Sequence, residues 1–114
     1  MISDLDEHVG AVMERLRQHG LDRNTIVIFT SDNGATHGAS DKRFHVGGVD
    51  AGFFNSSGGL RGYKGSCYEG GIRVPCIVRW PGRVSGGGEF TEPSYFPDWF
   101  PTLAALADGD YGDY

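Results

Sequence analysis

The chain has 114 residues, 39% hydrophobic and 22% charged, which fits one modest globular core or part of one and excludes a disordered polar chain. Its formal charge of −5 argues against a general nucleic-acid surface, which needs a net basic footprint. No apolar run reaches the length of a membrane span, no export signal is expected at Met1, and Cys67 and Cys76 form no CxxC pair. Nineteen glycines, most of them between residues 34 and 88, predict a loop-rich middle.

In chain order, Ser3 to His19 predicts a helix. Ser3 with Asp6 fits a capping box, and Asp4, Asp6 and Glu7 sit where the helix dipole favours anions. Leu5, Val9, Val12, Met13 and Leu16 recur at helical spacing and form one apolar stripe. Gly20 supplies the stop, with Leu21 placed for the apolar contact that accompanies such an ending. Asp22 to Asn24 connects to Ile26–Phe29, an apolar, mostly β-branched run expected of a central strand covered on both faces. Helix, short loop and buried strand make one half of a βαβ unit, whose preceding parallel strand is expected outside this chain.

Ala35 to Gly59 shows neither period and reads as a long loop. Leu60 to Gly71 is punctuated by glycine and predicts only a short turn of helix. Ile72 to Trp80 predicts a second strand with Pro75 at its start, ended by Pro81 and Gly82, and Val84 to Gly88 a surface linker. Ser94 to Leu106 contains the last helix, with Pro101 in its first turn and Asp98 as cap. The tail, residues 108–114, is expected to be disordered.

Chemistry concentrates after the first strand. Ser31, Asp32, Asn33 and Gly34 place oxygen-bearing side chains at its carboxyl end, where open α/β sheets bind ligands. Two readings compete for Asp32 and Asn33: a polar turn, for which Asp, Asn and Gly are the usual residues, or part of a hard-cation site. Two protein oxygens are too few to hold calcium or magnesium, so further ligands would come from elsewhere. Lys64, between Gly62 and Gly65, is either a solvated charge or a clamp for a developing oxyanion. Glu69, Arg73 and Arg79 read as structural, either a buried ion network or rim charges. His37 and His45 lie in the long loop without a partner in sequence, and Cys67 and Cys76 read as small apolar fillers.

Taken together, NTIVIFTSDNG at Asn24–Gly34, LRGYKGSCYEGGIRVP at Leu60–Pro75 and RWPG at Arg79–Gly82 resemble the sulfatase family of the alkaline-phosphatase-like superfamily. The opening helix MISDLDEHVGAVMERL and DWFPTLAALA at Asp98–Ala107 are similar to elements flanking those motifs in the family. The resemblance implies an α/β chain: a fragment, residues 1–107, of a sandwich whose central, mostly parallel sheet is flanked by helices. It implies hydrolysis of sulfate esters of sugars or aryl compounds. Asp32 and Asn33 would be two calcium ligands, and Lys64 the catalytic residue that binds the sulfate. Glu69, Gly70, Gly71 and Arg73 match a family motif whose role is structural.

The family's nucleophile is a formylglycine made within a C/S-x-P-x-R motif, and this sequence has none: Tyr68-Glu69-Gly70 follow Cys67, and Ile77-Val78-Arg79 follow Cys76. The resemblance therefore implies that the rest of the metal site and the nucleophile come from a missing remainder of the domain or from a partner chain. Full-length family members are periplasmic, secreted or lysosomal. The alternatives are a phosphodiesterase or phosphonate hydrolase of the same superfamily, and a non-catalytic remnant or interaction module.

Overall fold

A computed structural model describes residues 2–36, 51 and 53–107. The elements run α1 (Ile2–Gln18), β1 (Val27–Thr30), α2 (Glu69–Ile72), β2 (Cys76–Arg79) and α3 (Phe96–Leu106). His37 and His45, most of the long loop and the 108–114 tail lie outside the described residues.

The first helix ends as its sequence dictates. Gly20 adopts φ 68°, its N–H donates to the Arg17 carbonyl at 3.0 Å, and the Leu21 N–H donates to the Leu16 carbonyl at 2.9 Å. This pair of bonds is a Schellman ending, which satisfies carbonyls the helix would otherwise leave open and sets Leu21 near Leu16. The start differs from expectation. The helix begins at Ile2, so Ser3 lies inside the first turn instead of capping it.

The two strands pair antiparallel, with Val27 opposite Arg79 and Thr30 opposite Cys76. The one pairing among the described residues is antiparallel, and a two-stranded ribbon is too small to test the expected, mostly parallel sheet. One boundary needs correction. The second strand is shorter than Ile72–Trp80: Ile72 closes α2, and the ladder begins at Cys76, directly after Pro75, which has no N–H to donate. Arg79 ties this ribbon to the turn before β1, its Nη1 donating to the Asp22 carbonyl at 3.1 Å.

The last helix is capped differently from expectation. Tyr95 is its N-cap residue, Pro97 falls in the first turn, and Pro101 lies inside the helix. The Asp98 carboxylate reaches back to accept the Tyr95 N–H at 2.9 Å. Asp98 thus satisfies an orphan donor from the third helical position.

The burial pattern departs most from expectation. No residue of β1 is buried; all four are half-exposed. Among the described residues Ala51 is the one buried hydrophobic side chain. On the helical stripe Leu5 is 49% and Val12 57% exposed, and on β2 Ile77 is 61% exposed. Of the five elements only β1 and β2 pack on one another. A two-stranded ribbon is at best marginally stable alone, and each large apolar side chain left in water forgoes about 1.5–3 kcal/mol of burial. Cys67 and Cys76 are both exposed, so neither fills a core. No helix among the described residues is long and apolar enough to cross a membrane.

Candidate functional site

The best-defined part of the molecule is where the turn after β1 meets the glycine-rich loop before α2. The Gly34 N–H donates to the Gly71 carbonyl at 2.9 Å, and the Lys64 N–H donates to the Ala35 carbonyl at 2.8 Å. Residues separated by some thirty positions in sequence are thereby joined by backbone hydrogen bonds, which satisfy main-chain groups the loops would otherwise leave open. The structure thus brings Asp32, Asn33 and Lys64 onto two adjoining segments.

Glycine makes this contact possible. A Cβ on Gly34 would overlap the Gly70 carbonyl oxygen and stand 2.8 Å from the Gly70 carbonyl carbon. A Cβ on Gly70, which is buried, would overlap the Gly62 carbonyl oxygen and lie 2.9 Å from that of Arg61. Both obstacles are backbone atoms and cannot swing aside. The Glu69-Gly70-Gly71 run is therefore a packing device. It lets α2 start against the Lys64 loop and the turn after β1 at once.

Lys64 itself is exposed. It rides on a loop that closes on its own neck: the Gly70 N–H donates to the Arg61 carbonyl at 2.7 Å, and the Ser66 N–H to the Tyr63 carbonyl at 3.0 Å. The Arg61 guanidinium carbon stands 3.7 Å above the centre of the Tyr68 ring. Sequence reading missed this pair, because the stack exists only once the loop has closed and no local pattern announces it.

Asp32 is exposed, and its carboxylate makes no hydrogen bond among the described residues. Asn33 donates from Nδ2 to the Gly34 carbonyl at 3.0 Å, which fixes the amide and leaves its oxygen as a free acceptor. The Ser31 hydroxyl donates to the Asn33 carbonyl at 2.9 Å and braces the same turn. One carboxylate and one amide oxygen suit a hard cation such as calcium in kind. They fall short of six to eight ligands in number, and no cluster of three or more His, Cys, Asp or Glu occurs among the described residues. The fit is that of a partial site.

The three supporting charges do not form one network. Glu69 and Arg73 pair with each other at 2.8 Å on the surface, more than half exposed, while Arg79 serves Asp22. Of the two structural readings, the geometry matches rim charges and not a buried cluster.

The sulfatase family model matches residues 1–109. The chain belongs to the sulfatase family. It is 43% identical over 109 residues to mouse (Mus musculus) steryl-sulfatase, covering 96% of this chain and 16% of that protein. It is 41% identical over 106 residues to human arylsulfatase A, covering 93% of the chain and 18% of the relative. Dog (Canis lupus familiaris) arylsulfatase H is 36% identical over 108 residues, 95% of the chain and 18% of the relative. The chain thus spans under a fifth of the length of these sulfatases. Membership carries an α/β, alkaline-phosphatase-like architecture with it, to which the described residues contribute helices and one antiparallel strand pair.

Proposed function

We propose that this chain is part of the catalytic domain of a longer, calcium-dependent sulfatase that hydrolyses sulfate esters. In this reading Asp32 and Asn33 supply two of the metal's oxygen ligands and Lys64 binds the sulfate. The observation that carries it is the pair of backbone bonds, Gly34 to Gly71 and Lys64 to Ala35, that sets the lysine loop against the acid-amide turn. Family membership and relatives that are steryl- and arylsulfatases favour a sulfuric over a phosphoric ester.

In the proposed reaction the Lys64 ammonium donates to sulfuryl oxygens and to the leaving oxygen, where charge grows as the sulfur–oxygen bond breaks. Lysine suits this role because its three donors turn freely about a point charge. Calcium, when bound, supplies a Lewis acid and neutralises oxyanion charge. Asp32 brings the negative charge that holds it, and Asn33 a neutral oxygen kept in place by its own amide hydrogen bond. The nucleophile, a formylglycine, and the remaining ligands are assigned to the rest of the protein. The apolar faces left open on α1 and β2 support such a remainder.

The test is Lys64→Ala in the full-length protein, assayed on an aryl sulfate. Turnover should fall by about 10²–10³, the usual loss for one oxyanion donor. Turnover close to the parent's would end the assignment.

A further inference from the structure

We propose that Arg61 and Tyr68 are positioning residues that present Lys64 to the sulfate, a role that rests on the function proposed above. They stand at the two ends of the loop that carries the lysine. Its neck is closed twice, by the backbone bond from Gly70 to Arg61 at 2.7 Å and by the Arg61 guanidinium lying 3.7 Å over the Tyr68 ring. Within the loop Gly62 and Gly65 take φ 86° and 89°, so the backbone reverses on either side of Lys64. These left-handed glycines give the chain its turns but no stiffness. A long exposed lysine on such a loop would otherwise sample many positions, and the backbone anchor to Ala35 fixes only its main chain. The Arg61–Tyr68 stack supplies side-chain rigidity across the neck. An arginine plane on an aromatic face is a rigid, directional contact that lysine reproduces poorly. Tyr68 also accepts the Gly71 N–H at 2.8 Å through its carbonyl, so the ring sits on the N-cap residue of α2. Loop closure, α2 and the lysine are thus coupled through one side-chain contact.

The experiment is steady-state kinetics on a fluorogenic aryl sulfate, with the full-length protein and variants checked by thermal unfolding. Tyr68→Leu and Arg61→Met should each lower kcat about tenfold, a loss in keeping with a small misplacement of a reacting group, while Tyr68→Phe keeps the parent rate. In a Lys64→Ala background the same Tyr68→Leu change should cost less than about twofold, because the residue it positions is gone. Should Tyr68→Leu fail to fold, Arg61→Met alone and over Lys64→Ala carries the test, since Arg61 is exposed. Unchanged kcat in Arg61→Met overturns the proposal, as does a tenfold loss that persists without Lys64. Severe loss in Lys64→Ala with either of those results removes the positioning role and leaves the proposed function standing. Normal turnover in Lys64→Ala removes both.

Discussion

The turn-and-loop unit around Gly34, Lys64 and Gly70 and the helices at either end of the chain are held by different means. The first is joined by backbone hydrogen bonds and by glycines packed carbonyl to Cα. The helices α1 and α3 have sound local endings but pack on no other element among the described residues, and apolar residues such as Val12 and Leu106 remain exposed. Backbone hydrogen bonds and close glycine contacts can fix how two distant segments meet. An apolar stripe can only specify that something must cover it. This difference accords with a chain that carries part of a site into a larger domain.

Four changes would break or sharpen the contrast, beginning with the largest. Gly34→Ala should destabilise the full-length protein by about 3 kcal/mol and lower sulfate-ester turnover, because the new methyl collides with the Gly70 carbonyl. Chemical denaturation and kinetics would show it; an undisturbed protein would mean the two segments do not meet so closely. Val12→Asp should cost about 2 kcal/mol or more in the full-length protein, where the proposed remainder would cover the stripe, and close to nothing in the isolated chain. Equal effects in both would mean that the stripe is no more covered in the full-length protein than in the isolated chain. Arg79→Met should cost about 1 kcal/mol by losing the bond to the Asp22 carbonyl, read as a lower unfolding midpoint. Glu69→Gln, which breaks an exposed ion pair with Arg73, should shift stability by less than about 0.5 kcal/mol.

The local endings were legible in sequence. Gly20 with Leu21 announced the Schellman stop, and Pro75 announced the first possible ladder residue, because both act within a few positions. The antiparallel partner of β1 was not legible, since Ile28 and Val78 are fifty positions apart and nothing local encodes their register. Burial of Ile26 to Phe29 was expected from their type, but burial also depends on neighbours that the described residues do not include. Helix at Gly70-Gly71 runs against glycine's propensity and follows from packing that a side chain would block. Of the candidate site, Asp32, Asn33 and Lys64 could be named as candidates from residue type and resemblance, and the backbone bonds that set their two segments side by side could not be read. The Arg61–Tyr68 stack was invisible, because only the closed loop creates it.

The central claim is that the acid-amide turn and the lysine loop form one half-site for a metal and a sulfate. A crystal structure of the full-length protein with calcium and inorganic sulfate, the metal placed by its anomalous signal, tests this most directly. The account predicts Asp32 and Asn33 oxygens about 2.3–2.6 Å from the ion and the Lys64 Nζ about 2.7–3.2 Å from a sulfate oxygen. An ion bound without either residue, or a sulfate seated away from Lys64, would contradict it.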